Sequence, residues 1–313
     1  MTIAAAPVPE RIAERVATPR GANLWRDTLR SVLRQRTAQV GIGLLLFLVV
    51  VAVFADQIAP YSPFRDFIDE GSGRRAAPCI HAFGCPADVT QHLLGTDGNF
   101  RDVFSRVVHG ARVSLQIGFL TVGFAIVVGT LIGAVAGYAG GWVDNVFMRI
   151  MDVLLSFPAL ILAIAIVTVL GPGLVNAQLA IGIVSIPVYA RVMRASVLSV
   201  RERDYVMVSR ALGESAGGIL MRRILPNALT PLIVQGTLGI GTAVLEVAAL
   251  SFLGLGAQPP VAEWGSMIGL ERNQLFSAPH LILAPGIALA MTVLGFNLLG
   301  DGLRDALDPR LNR

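Results

Sequence analysis

Six long apolar stretches dominate the sequence and restrict what it can fold into. They cover residues 38–55, 113–137, 150–170, 174–192, 229–253 and 281–300. Each approaches the ~20 apolar residues that a helix needs to cross ~30 Å of hydrocarbon, where every backbone amide must be bonded within its own segment. With 54% hydrophobic and 15% charged residues, the chain also lies outside the composition of soluble domains. The sequence therefore predicts an all-α, polytopic membrane protein with six transmembrane helices.

The arginines indicate which side of the membrane each polar segment occupies. All 25 basic residues are arginine, and 18 of them fall on the side of the two termini. Because positively charged segments stay in the cytoplasm, we expect cytoplasmic termini and an extracytoplasmic loop. The predicted organisation is a cytoplasmic N-terminal tail (1–37), a first transmembrane helix (38–55), an extracytoplasmic loop (56–112), a five-helix core (113–300) containing a cytoplasmic loop (195–228), and a cytoplasmic C-terminal tail (301–313).

The absence of lysine excludes one class of ATPase. A P-loop needs a lysine to reach the phosphates, and this chain has none. The glycine-rich GIGTAV at 239–244 lies inside an apolar stretch, which is typical of helix packing. HExxH does not occur and no cysteine lies within an apolar stretch, so a membrane-embedded enzyme lacks support. A secondary transporter is a further alternative, which inverted repeats would favour. We expect no catalytic residue, no cofactor and no metal in this chain.

One cytoplasmic segment is unusually polar. Residues 209–227, SRALGESAGGILMRRILPN, contain three arginines, a glutamate, three glycines and a proline. We expect a helix that ends near Leu212, a left-handed turn at Gly213, and a second helix that starts at Glu214 and Ser215 and ends at Pro226. Such an elbow suits a docking surface. The alternative is a solvated loop whose arginines contact anionic lipid.

The stretch YVMVSRALGESAGGILMRRILPN resembles the cytoplasmic loop of bacterial ABC importer permeases, in which a glycine precedes a terminal Leu-Pro. In that family the loop contains the coupling helix, which sits in a groove of the ATPase subunit. The sequence departs from the family pattern at its Glu-Ala-Ala triplet, here Met207, Val208 and Ser209, and at Arg223, where an apolar residue is usual. The resemblance implies that the following residues couple to the ATPase: Ser209, Arg210, Ala211, Gly213, Glu214, Ser215, Arg222, Arg223, Leu225 and Pro226.

Four further stretches narrow the resemblance to one branch. They are LLGTDGNFRDVFSRVVHGARVSL (93–115), GYAGGWVDNVFMRIMDVLLSFPALILAIAIV (137–167), AALSFLGLGAQPPVAEWGSMI (248–268) and FNLLGDGLRDALDP (296–309). Together they are similar to the second permease subunit of the peptide, glutathione and nickel importers, over about residues 24–313. Phe100 stands where that branch usually has glycine.

This resemblance implies a type I ABC importer permease fold in the bacterial inner membrane. The expected partners are a homologous permease, two ATPase subunits that bind ATP and Mg, an extracytoplasmic binding protein and membrane lipid, with no nucleic acid. The expected substrates are di- or oligopeptides, with glutathione or nickel as alternatives.

Two acidic residues lie within the apolar stretches. Glu246 falls near the middle of the fifth stretch, where a carboxylate costs several kcal/mol unless it faces water or a partner. With Thr242 one turn away, it is predicted to line a translocation path and to meet a substrate's ammonium group. The alternative is a protonated glutamate bonded to a neighbouring helix. Asp152, at the cytoplasmic end of the third stretch, is expected to pair with Arg149.

The extracytoplasmic loop contains both cysteines and an amphipathic segment. Cys79 and Cys85 are close enough for a local disulfide, while free thiols or a metal site including His81 are alternatives. RDVFSRVVHGAR (101–112) predicts an amphipathic helix that lies either on the membrane surface or against the bundle. We expect His92 and His109 to be surface histidines.

Overall fold

The structure is a computed structural model that describes residues 32–70, 72–86 and 88–307. Its helices are α1 (Arg36–Val53), α2 (Ala55–Ile58), α3 (Val103–Ala139), α4 (Gly141–Leu155), α5 (Ala159–Leu170), α6 (Leu174–Arg201), α7 (Asp204–Ala211), α8 (Ala216–Gly218), α9 (Leu225–Ala228), α10 (Thr230–Phe252), α11 (Trp264–Glu271) and α12 (His280–Leu307). A π-helical turn, Ile219–Ile224, joins α8 to α9. Short 3₁₀ turns occupy Ile68–Glu70, His81–Phe83 and Arg272–Gln274.

Five helices are long and apolar enough to cross a membrane, and a bent pair supplies a sixth span. The five are α1, α3, α6, α10 and α12, and the pair is α4 and α5, which meet at 92°. Pro158 precedes α5, and the residue before a proline is disfavoured in helical geometry, so the third span breaks there. The prediction of an all-α, polytopic membrane protein is confirmed, and the six predicted spans correspond to five continuous helices and one bent pair.

Helices α3 and α6 share the most extensive contact in the bundle. Gly129, Gly133 and Gly137 recur every four residues along α3 and lie against the backbone of α6. A Cβ atom at Gly133 would lie 2.3 Å from the carbonyl oxygen of Ala190. Small residues at this spacing let two helix backbones approach closely inside a membrane. The three glycines therefore set the short distance between α3 and α6 in the core of the bundle.

The segment between α2 and α3 folds into a small lobe with isolated β-bridges and 3₁₀ turns. Arg106, 1% exposed, fastens this lobe to the rest of the chain. Its Nη1 donates hydrogen bonds to the carbonyl oxygens of Pro63 (3.0 Å) and Pro260 (3.2 Å), and its guanidinium lies 3.4 Å from the carboxylate of Asp97. The amphipathic segment is thus the buried start of α3, and the membrane-surface alternative is wrong.

The segment between α10 and α12, which contains α11, packs against the lobe. Trp264 of α11 donates its indole N–H to the carbonyl oxygen of Val107 (2.9 Å), and Glu271 accepts from Arg75 and from the backbone N–H of Gly98 (both 2.7 Å). Because α11 is short and buried on several sides, it is held by the lobe and does not span the membrane. The lobe and α11 form one unit at this end of the bundle.

Both chain ends differ from the predicted tails. Helix α12 continues to Leu307, so the first seven residues of the predicted tail 301–313 are helical. The predicted N-terminal tail overlaps α1, which starts at Arg36. The remaining predicted tail segments, 1–31 and 308–313, lie outside the described residues.

Candidate coupling surface and bundle cavity

The elbow, residues 204–228, bends where the sequence predicts it. Gly213 follows α7 with φ of +79°, a left-handed conformation that glycine adopts without a Cβ clash. The backbone N–H of Glu214 donates to the carbonyl oxygen of Ser209 (3.1 Å), and that of Gly213 donates to Arg210 (3.1 Å). This pair of bonds is the Schellman arrangement that closes a helix C-terminus. The turn is therefore defined by local hydrogen bonds.

The second arm of the elbow starts at a capped terminus. The Ser215 hydroxyl accepts from the N–H of Gly218 (3.3 Å), as an N-cap residue does. Ile219 and Ile224 are buried and hold the arm against the bundle. Pro226 does not end this arm, which continues through α9 to Ala228. Proline is tolerated there because it lies in the first turn of α9, where its missing N–H matters least.

The elbow exposes a mixed surface of apolar and basic side chains. Of the predicted coupling residues, Ser209 is buried and Glu214 and Leu225 are half-buried, while the others are exposed. Glu214 also forms an ion pair with Arg223 (3.0 Å), which ties the two arms together. Arg222 has no partner among the described residues. Sequence reasoning missed five exposed apolar residues of this surface: Tyr205, Met207, Val208, Leu212 and Met221.

A half-open cavity of about 200 Å³ lies in the side of the bundle, between the α4–α5 bend, α6 and α10. Glu246 and Thr242, predicted to line a translocation path, both lie in its wall. Glu246 is half-buried, and no ion pair or hydrogen bond to its carboxylate occurs within the described part of the chain. The complete lining is Leu154, Leu155, Phe157, Ala159, Val184, Ser185, Val188, Tyr189, Gln235, Leu238, Gly239, Thr242, Ala243 and Glu246.

Asp152 does not pair with Arg149. Its carboxylate accepts from Arg191 of α6 at 2.6 Å, with both side chains about half exposed. Arg149 lies three positions away on the same helix, but α4 packs along α6, where Asp144 also pairs with Arg194. The ion pair therefore links the broken span to the next one, a contact that sequence spacing alone could not reveal.

The lobe contains a disulfide and a buried histidine. The structure joins Cys79 to Cys85, with their Cα atoms 5.4 Å apart, and the backbone of Cys79 pairs with that of His92. His81 bonds to the carbonyl oxygen of Val89 instead of joining a ligand cluster, and the described residues hold no group of side chains suited to a metal. His109 is partly exposed and lies 3.2 Å from Asp56.

His92 is 2% exposed, so its prediction as a surface residue is wrong. Its Nδ1 donates to Asp102 (2.9 Å) and its Nε2 lies 3.2 Å from the hydroxyl of Ser72. This order resembles a hydrolase triad. All three side chains are buried, however, and the second oxygen of Asp102 caps α3 by accepting from the N–H of Ser105. The arrangement therefore anchors the start of α3.

Comparison with known proteins agrees with this architecture. Residues 129–313 match the family model described as binding-protein-dependent transport system inner membrane component, and residues 23–78 match the N-terminal TM domain of oligopeptide transport permease C. Solved structures of the MetNI methionine ABC transporter in inward-facing conformations include a chain with a TM-score of 0.54 at 20% identity. That match covers 65% of this chain and 97% of the other.

Curated relatives extend over nearly the whole chain. The dipeptide transport system permease protein DppC of Alkalihalophilus pseudofirmus is 45% identical over 287 residues, 92% of this chain and 90% of the relative. The glutathione transport system permease protein GsiD of Pectobacterium atrosepticum is 40% identical over 289 residues, 92% of this chain and 91% of the relative. The chain therefore belongs to the family of inner-membrane permease components of binding-protein-dependent ABC transport systems.

Proposed function

We propose that this chain is the permease subunit of an ATP-driven importer of di- or oligopeptides in a bacterial inner membrane. It forms the translocation path with a homologous permease and receives substrate from an extracytoplasmic binding protein. The peptide assignment is supported by relatives named for dipeptide and di/tripeptide transport at 45% and 44% identity. Glutathione, itself a peptide, is the second candidate because relatives named for its transport reach 42% identity.

The elbow is the observation that carries the coupling role. It combines a fixed turn, two short helical arms and an exposed apolar surface that includes Leu212 and Met221. Exposed apolar side chains rimmed by arginines are typical of a protein contact. ATP and Mg bind to two separate ATPase subunits, and this chain contributes no residue to nucleotide chemistry. Closure of the ATPase pair would move the elbow as a rigid body and switch the side to which the path opens.

The orientation follows from the arginine distribution. Both termini and the elbow lie in the cytoplasm, while the lobe with its disulfide faces the opposite, oxidising side. In this orientation the lobe is placed to meet a binding protein and the elbow to meet an ATPase. Glu246 and Thr242 then belong to the path between them.

The turn at Gly213 offers a direct test of coupling. In Gly213→Val, a β-branched residue would have to adopt a left-handed conformation, so the elbow should deform and ATPase copurification should fall several-fold. Asparagine tolerates that conformation, so Gly213→Asn is the matched control and should retain most of the ATPase. Membrane insertion, measured by the amount of permease in the membrane fraction, should be unchanged in both variants. Normal ATPase copurification with Gly213→Val contradicts the proposal.

Charge reversal at Arg222 and at Arg223 distinguishes a loss of ATPase contact from a loss of folding stability. Arg222→Glu should weaken ATPase binding without disturbing any bond among the described residues. Arg223→Glu also removes the ion pair with Glu214 and should lower thermal stability as well. Binding to purified ATPase and melting temperature, measured on both variants, distinguish the two effects. Unchanged ATPase binding by Arg222→Glu would show that this arginine lies outside the contact.

A further inference from the structure

A polar stripe runs along one face of α10 and forms a wall of the bundle cavity. Gln235, Gly239, Thr242 and Glu246 recur at spacings of four, three and four, so a helix places them on one side. All four line the cavity of about 200 Å³. The stripe thus joins an amide, a hydroxyl and a carboxylate within three turns, and Glu246 is the only charged residue of α10.

Tyr189 of α6 extends this polar wall from the facing helix. Tyr189 is 3% exposed and its Cβ packs against α3 at Gly129, which fixes the start of its side chain. Its hydroxyl lies over Gly239, where an added Cβ atom would be 2.0 Å from the phenol oxygen. No hydrogen bond to this hydroxyl occurs in the part of the chain that the structure describes. The absence of a side chain at Gly239 therefore leaves room for an unpaired hydroxyl at the cavity wall.

The side chains that line the cavity carry only negative charge. Its lining includes the Glu246 carboxylate and no arginine or histidine. An unpaired carboxylate inside a membrane is costly and marks a pathway for a cation or a proton. An ammonium group offers three donors and no acceptor, which matches a carboxylate with nearby hydroxyl oxygens. A carboxylate or phosphate group would be repelled.

We propose that this cavity recognises the protonated amino group of the transported substrate, with Glu246 as its counter-charge and Thr242 and Tyr189 as further acceptors. The permease itself then selects for a free amino terminus after the binding protein has released its cargo. This inference rests on the proposed function and deepens it by naming the chemical group of the substrate that the translocation path recognises. A neutral Glu246 bonded to a neighbouring helix is the competing arrangement.

The charge can be measured without any transported substrate. In Thr242→Cys, the new thiol lies one helical turn from Glu246, or about 5–6 Å between Cβ atoms. A cationic methanethiosulfonate reagent should modify it at least about tenfold faster than an anionic reagent of similar size, because the nearby charge attracts one and repels the other. Adding Glu246→Gln to the Thr242→Cys variant should bring the ratio of the cationic to the anionic modification rate close to the ratio for a free thiol in solution. Cys79 and Cys85 are joined to each other and do not react.

Two outcomes of this experiment overturn the proposal. One is a rate ratio that Glu246→Gln leaves unchanged, which would mean that Glu246 is neutral or faces away. The other is a thiol that reacts with neither reagent in any nucleotide state of the assembled transporter, which would mean that water does not reach the cavity.

Transport by the assembled complex in proteoliposomes tests the selection itself. Wild-type complex should take up dialanine at least about tenfold faster than N-acetyl-dialanine at matched occupancy of the binding protein. Glu246→Gln should remove most of that preference by slowing the free peptide alone. Equal uptake of dialanine by wild type and Glu246→Gln overturns this inference and leaves the proposed function standing. Uptake of neither peptide by wild type refutes the peptide assignment and this inference with it.

Discussion

The contact between α3 and α6 can be broken by a single methyl group. In Gly133→Ala the new Cβ would lie 2.3 Å from the carbonyl oxygen of Ala190 and 2.9 Å from the Cβ of Met193. Ordinary contact begins at 3.4 Å, so the two helices must separate by about 1 Å. The oxygen belongs to the backbone of α6 and cannot rotate away. The whole interface therefore has to open.

The free-energy cost of Gly133→Ala follows from the separation of α3 and α6. Overpacking a tight contact costs about 1–3 kcal/mol, and a gap of 0.5–1 Å forfeits about a quarter to a half of the dispersion energy of the neighbouring contacts. Replacing glycine by alanine within a helix returns up to about 1 kcal/mol. We expect a net destabilisation of about 2 kcal/mol for Gly133→Ala. Gly123, on the same helix, has no atom within 4 Å of an added Cβ, so Gly123→Ala should be neutral or slightly stabilising.

The free energy of unfolding measures both variants directly. Denaturant titration of the purified permease in detergent micelles, followed by tryptophan fluorescence, gives the midpoint and slope for wild type, Gly133→Ala and Gly123→Ala. A fall in the midpoint with an unchanged slope would report lost packing. Equal stability of the two variants would refute the reasoning, because helix propensity alone predicts the same small gain in the free energy of unfolding for each variant.

Two further predictions concern the lobe between α2 and α3. Phe100 has φ of +60°, so Phe100→Gly should be more stable than Phe100→Ala by about 1 kcal/mol, since both lose the ring but only alanine keeps the left-handed strain. Melting temperatures of the two variants decide this, and an alanine variant of equal or greater stability contradicts it. If Cys79 and Cys85 are bridged, alkylation of the denatured, unreduced protein should add no adduct, and alkylation after reduction should add two. Mass spectrometry that finds two adducts before reduction rules the bridge out.

The spans and the elbow were predictable because their signals are local. About 20 apolar residues suffice to predict a span, and the turn at Gly213 needs only a glycine between two helical runs. The family's glycine at the position of Phe100 likewise indicates a left-handed residue, and the structure has that conformation there. Each of these features depends on neighbours within one or two turns of chain.

The side chains whose partner or burial was predicted wrongly depend on contacts with residues that are distant in sequence. Asp152 bonds to Arg191 because α4 packs along α6, and that packing cannot be read from an apolar stretch. His92 is buried because the lobe closes over it, bringing Ser72 to one ring nitrogen and Asp102 to the other. Tyr189 gave no sequence signal as a cavity residue, because its place opposite Gly239 is set by the packing of two helices.

The length of α3 has a mechanical consequence. Its 37 residues extend about 55 Å at 1.5 Å per residue, nearly twice the ~30 Å thickness of the hydrocarbon core. One end is clamped in the lobe by Arg106, and the glycines nearer the other end press it against α6, the helix that leads into the elbow. A stiff rod of this length that tilts by 5° about one end displaces the other by about 5 Å. A small rotation of α3 about one end therefore displaces its other end, at the opposite membrane surface, by more than the diameter of a water molecule.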